Sequence, residues 1–111
     1  MIKIAVLGYG TIGSGVVEVL ETNREHITQT AGQEIEVKYV LDLRDFPGDP
    51  NADKVVHDYD IIDKDEDVQV VVECMGGVEP AYTFVKRALL NGRSVATSNK
   101  EHVSYTHLRA H

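Results

Sequence analysis

The 111-residue sequence predicts one α/β domain built on a mostly parallel sheet. Three observations predict it. Short runs with strand character, beginning at Ile2, Glu36, Val68 and Ser94, alternate with helical patterns. The first run passes into a helix through Gly8, Gly10 and Gly13, at G-x-G-x-x-G spacing. The valine-rich third run also ends in glycines, Gly76 and Gly77.

Ile2, Ile4, Ala5, Val6 and Leu7 make an apolar, partly β-branched run that reads as a buried strand. Each glycine beyond it has its own task. Gly8 makes the tight turn, Gly10 lets backbone approach a pyrophosphate, and Gly13 lets the helix pack closely on the strand. The first N–H groups of that helix lack partners within it, and its dipole favours an anion there. A dinucleotide supplies that anion, so the stretch predicts a Rossmann-like binding turn. From Thr11 to about Ile27 the apolar residues Ile12, Val16, Val17, Leu20 and Ile27 recur near helical spacing, which predicts one helix with one face on the sheet. Asn23, Arg24, Glu25 and His26 read as its solvated end, and Gly32 as the break after it.

Glu36 to Leu41 reads as the second strand. The residue just past it settles cofactor choice in such folds: an acid accepts hydrogen bonds from the ribose of NAD, while an arginine accommodates the extra phosphate of NADP. Asp42 and Arg44 send both signals, so from the residues alone the choice stays open. Pro47, Gly48 and Pro50 place a loop over Asp45 to Asp53. Asp58 to Asp67 is acidic around Ile61 and Ile62 and reads as a helical turn or two with a solvated charge run.

Val68 to Glu73 is the clearest strand after the first. It ends at Cys74-Met75-Gly76-Gly77, a turn expected at the same crevice as Gly8 to Gly13, because ligands bind beyond the carboxyl ends of parallel strands. Cys74 has no activating base nearby in sequence and reads as a packed thiol. Pro80 opens a further helix with Ala81, Phe84, Val85, Ala88 and Leu89 on its apolar face and Asn91-Gly92 as its stop. A short strand from Ser94 to Thr97 leads to Ser98-Asn99-Lys100.

Hydrophobic residues at 42% and charged residues at 26% fit a soluble globular protein. The net charge of −7 argues against a general nucleic-acid binder, which needs a basic face. One cysteine, no bilayer-length apolar run and no leader before the first strand lead us to expect a cytoplasmic setting without membrane contact.

Three segments together resemble the amino-terminal nucleotide-binding domain of homoserine dehydrogenase: Gly8 to Val17, Val71 to Ala81, and Val95-Ala-Thr-Ser-Asn-Lys100. The resemblance implies reversible, NAD(P)-linked interconversion of L-homoserine and L-aspartate 4-semialdehyde, on the route to threonine, methionine and isoleucine. It implies that Gly8, Tyr9, Gly10, Thr11, Ile12 and Gly13 cradle the pyrophosphate and that Met75, Gly76 and Gly77 line the nicotinamide end. Lys100 matches the lysine between cofactor and substrate, where a cation can orient the substrate and stabilise a developing alkoxide. Arg44-Asp45 resembles the family's Arg-Asp pair, which favours NADP over NAD. The family is usually homo-oligomeric.

The resemblance covers residues 1–101. Residues 102–111, with His102, His107 and His111, do not resemble the family's continuation and are expected to be a foreign or disordered tail. The family's substrate domain carries a second lysine and the acids that hold the amino acid. The chain is therefore expected to bind NAD(P) without dehydrogenase activity. The rival reading is a stand-alone NAD(P)-binding or redox-sensing module; a related semialdehyde reductase fits less well with Gly76-Gly77-Val-Glu-Pro80 and Asn99-Lys100.

Overall fold

The computed structural model describes residues 1–75 and 81–97. The expected strands form as β1 (Ile2–Leu7), β2 (Ile35–Leu41), β4 (Val68–Glu73) and β5 (Ser94–Thr97), joined by a two-residue β3 (Val55–Val56). All pairings are parallel, in the order β3-β2-β1-β4-β5. β1 is therefore central and covered on both faces, which is why its sequence is a continuous apolar run. The chain builds outward from β1 through β2 to β3 on one side, and from β4 to β5 on the other. That reversal next to β1 is the switch point where such sheets bind ligands.

Register decides what meets there. Leu7 lies opposite both Leu41 and Glu73, and Glu73 lies opposite Thr97. The carboxyl ends of four strands form one row, so the segments starting at Gly8, Asp42 and Cys74 leave the sheet side by side.

Side chains alternate across a strand, and β1 feeds two cores. Ile4 and Val6 pack with Val17 of α1 (Thr11–Thr22) and with Val37 and Val40. Ala5 and Leu7 pack on the other face with Tyr59 and Ile62 of α3 (Tyr59–Asp63) and Ala88 of α4 (Ala81–Leu90). On the apolar face read for α4, Ala81, Val85 and Ala88 are buried and Phe84 packs against the core. Pro80 lies outside the described residues. No helix among the described residues is long and apolar enough to cross a membrane.

The first helix departs from expectation in two ways. It stops at Asn23, which ends α1 and starts α2 (Arg24–Ala31). Both the backbone N–H and the side-chain amide of Asn23 donate to the Val19 carbonyl, at 3.0 and 3.2 Å. A short amide side chain competing for helix carbonyls breaks the run. Ile12, expected on the buried face, is 58% exposed instead, because the buried face of α1 runs through Gly13 and Val17, four residues apart, and Ile12 lies one position off it.

β3 was not expected. It pairs Val55 with Val40 and Val56 with Leu41 after a single 3-10 turn at Ala52–Lys54, and two residues carry no periodicity to read.

The acidic run is also less solvated than expected. Asp58 caps α3 by accepting from the Asp60 N–H at 2.9 Å. Asp60 and Asp63 accept from Arg87 of α4 at 2.6 and 2.8 Å, and Asp65 accepts from Lys38 and from the Tyr39 hydroxyl. The Lys38 ammonium, then the Tyr39 hydroxyl, hold the Asp65 carboxyl down at about 2, from 3.8. A depressed carboxyl stabilises the fold above its unfolded value, and that contribution is lost as pH falls through the folded value. Between pH 4 and 2, Asp65→Asn is therefore expected to lose less stability than the parent, read as denaturation midpoints by circular dichroism.

Candidate dinucleotide-binding site

The turn after β1 is fixed by backbone before any side chain contributes. The Gly8 N–H donates to the Leu41 carbonyl at 2.7 Å, and the Cys74 N–H to the Leu7 carbonyl at 2.8 Å. Gly8 turns the chain with φ of +97°, and a Cβ there would lie 3.1 Å from Met75 Cγ and 3.2 Å from the Cys74 carbonyl. A Cβ on Gly13 would lie 1.8 Å from the Gly8 carbonyl oxygen, so α1 can approach the turn only through a glycine.

Gly10 is different. It precedes α1 and is exposed, and a Cβ there would meet nothing nearer than Arg44 Nη2 at 4.0 Å. Packing within the protein does not demand this glycine. Nor does a side chain cap the helix at Gly10, although the N–H groups of its first turn lack helical partners. An open backbone surface at a helix amino terminus suits an anionic group. It opens into a cleft of about 420 Å³ lined by Gly8, Gly10, Leu41, Asp42, Leu43, Arg44, Cys74 and Met75.

Asp42 and Arg44, competing signals in the sequence, form one unit here. The Asp42 carboxylate accepts from Arg44 Nε at 3.0 Å and Nη2 at 3.0 Å, from the Arg44 N–H at 2.9 Å, and from the Tyr9 N–H at 2.9 Å. The Arg44 side chain holds the Asp42 carboxyl at about 2, with the Arg44 and Tyr9 N–H groups acting in the same direction. Arg44 itself is exposed and lies over the Phe46 ring, 5.2 Å from its centroid.

The cradle residues divide by exposure. Thr11 and Ile12 are exposed at the start of α1. Tyr9 is buried: its ring packs edge-on against Phe46 at 4.9 Å, and its hydroxyl donates to Asp49 at 2.9 Å. Cys74 is half-buried, and burial, then the Glu73 carboxylate, push its thiol pKa up. Gly76, Gly77 and Lys100 lie outside the described residues, as does the tail.

Two residues that sequence reasoning passed over belong to this edge. Glu73 is fully buried and accepts from the Met75 N–H at 2.7 Å and from the Thr97 hydroxyl, joining the ends of β4 and β5. An acid closing a run of valines is the signal that could have marked it. His57 follows β3 and bonds to the Asp42 carbonyl and the Asp45 carboxylate. Nothing local in the sequence marks it.

The family description "Homoserine dehydrogenase, NAD binding domain" matches residues 8–110. The chain belongs to this family. It is 33% identical to homoserine dehydrogenase of Lactococcus lactis, over 98% of this chain and 27% of that protein. It is 37% identical to that of Pseudomonas aeruginosa, over 89% and 23%. Among solved structures, S. aureus homoserine dehydrogenase at pH 7.5 superposes with a TM-score of 0.81 at 36% identity, covering 89% of this chain and 25% of that one. The chain thus spans about a quarter of the length of the relatives it matches. As an NAD-binding domain of this family, it takes a nicotinamide dinucleotide as cofactor.

Proposed function

We propose that the cleft between Gly10 and Arg44 binds NADP in preference to NAD, serving the interconversion of L-homoserine and L-aspartate 4-semialdehyde. One observation carries the preference. An acid that selects NAD must accept hydrogen bonds from ribose hydroxyls, and both oxygens of Asp42 already accept two bonds each from Arg44 and Tyr9. What the loop still offers is the exposed Arg44 guanidinium, whose remaining N–H groups suit a phosphate.

In this reading the backbone of Gly10, Thr11, Ile12 and Gly13 receives the pyrophosphate, and Tyr9 fixes the turn through its bond to Asp42. Met75, Gly76 and Gly77 face the nicotinamide, which supplies the hydride chemistry. Lys100 orients the substrate and offsets the charge of the alkoxide. The 111-residue chain binds dinucleotide without turning over homoserine.

Calorimetric titration with NADPH and NADH tests this. NADPH binds more tightly, and Arg44→Ser weakens it by about tenfold to a hundredfold, the range for hydrogen bonds to a charged group, with little change for NADH. Equal affinity for the two in the parent chain would remove the NADP preference. No heat with either would remove the binding reading.

A further inference from the structure

We propose that His57 is a positioning residue for cofactor choice: in its protonated form it pins both ends of the loop that carries Arg44, so that binding of NADP, and not of NAD, is linked to proton uptake at this imidazole. The inference rests on the NADP reading above.

The geometry is specific about the proton. Nδ1 of His57 lies 2.6 Å from the Asp42 carbonyl oxygen and Nε2 lies 2.8 Å from Asp45 Oδ1. Both partners only accept, whereas a neutral imidazole has one donor and one acceptor. Both bonds are made only by the imidazolium.

The two anchors bracket Arg44, one at Asp42 and one at Asp45. Asp42 is also the residue whose carboxylate holds the guanidinium. The imidazole is carried by the sheet, on the residue after β3, and not by the loop it pins. The Asp42 N–H adds a bond to the Val56 carbonyl at 3.1 Å. Losing the His57 proton therefore frees one end of the segment while the sheet stays in place.

The carboxylates nearest the ring act in one direction. Asp45 and Asp42 face it from the loop, with Arg44 beyond the Asp42 carboxylate. Asp58, next to it in the chain, turns its carboxylate to the Asp60 N–H. The Asp42 carbonyl, then the Asp45 carboxylate, raise the imidazole above its ordinary 6.5. The ring is half exposed and exchanges protons with solvent. The clamp is complete below 6.5 and is lost as pH rises through the raised value.

Linkage makes the effect reciprocal: if the proton favours NADP, NADP must favour the proton. The test is an NMR titration of the His57 ring in this chain, alone and with saturating NADPH or NADH, beside binding constants for both from pH 6 to 9. NADPH is expected to raise the His57 pKa and NADH to leave it unchanged. The NADPH-to-NADH affinity ratio should fall about fivefold across the His57 titration. His57→Gln should remove that fall, and Asp45→Asn should move it to lower pH. Ionisation of the cofactor's own phosphate is common to parent and variants, so their difference isolates His57. An NADPH-bound chain with an unmoved His57 pKa, or the same ratio-versus-pH curve in His57→Gln, would overturn the proposal alone. Absence of NADPH binding at every pH would sink the NADP reading and this inference with it.

Discussion

Gly13→Ala is expected to cost about 3 kcal/mol or more, at or beyond the upper end for overpacking, and to abolish dinucleotide binding. The added Cβ would sit 1.8 Å from the Gly8 carbonyl oxygen and 2.8 Å from its carbon. Neither atom can retreat. The Gly8 N–H is held by the Leu41 carbonyl, and Met75 and Cys74 close the other side of the turn. Relief requires α1 to lift off the sheet, which exposes Val17 and opens the core it shares with Val6 and Val40. Such a loss should lower the melting temperature by roughly 10–20 °C in a domain of this size. Gly10→Ala provides the contrast, since its Cβ would meet only Arg44 Nη2, at an unstrained 4.0 Å. Its melting temperature should stay close to the parent's, while its NADPH affinity falls because the methyl occupies the surface a pyrophosphate would approach. Thermal unfolding and NADPH titration of both variants decide the matter. A stable Gly13→Ala chain, or a Gly10→Ala chain that unfolds early but binds normally, would contradict the roles assigned to the two glycines.

What was legible in the sequence follows from the range of the forces involved. The glycine turn, β1 and β4 are written in neighbouring residues: a run of branched apolar side chains, then a spacing dictated by backbone contact. α4 and β5 are legible for the same reason, through local periodicity and the Asn91-Gly92 stop. β3 is not, because Val55 and Val56 become a strand only by pairing with Val40 and Leu41. The break at Asn23 depends on a competition for one helix carbonyl, which propensity ranks poorly. Asp42 and Arg44 show the limit most clearly. As isolated letters they argue for different cofactors, yet in the fold one holds the other, and the acid ceases to be a rival signal. Glu73 is marked only as an acid closing a run of valines, and its partner Thr97 is not marked at all; His57 with Asp42 and Asp45 joins distant segments and leaves no local trace.

Arg93 carries the second large effect, at the opposite edge of the sheet. It is 8% exposed, and its guanidinium is spent mainly on backbone. Nε donates to the Val68 carbonyl at 3.0 Å, and Nη2 to the carbonyls of Ile62, Asp63 and Asp65 at 3.0, 3.1 and 2.8 Å. The last carbonyls of a helix have no helical partners, and α3 is too short to end without help. Arg93 supplies that help and joins the end of α3 to the starts of β4 and β5. Arg93→Met keeps most of the side-chain volume and removes every donor. It is expected to cost about 2–4 kcal/mol, the scale for losing buried hydrogen bonds from a charged donor, and to lower the melting temperature by roughly 10–20 °C. Arg93→Lys should recover only part, since an ammonium cannot reproduce the planar fork that reaches Val68 and the end of α3 together. NADPH affinity of the folded fraction should be unchanged, because β4 separates Arg93 from the cleft by roughly 20 Å. Unfolding curves and NADPH titrations at low temperature test both halves. Lost stability with intact affinity would place Arg93 in the scaffold alone. Affinity lost in a chain that remains folded would show that the amino edge of the sheet is coupled to the cofactor cleft.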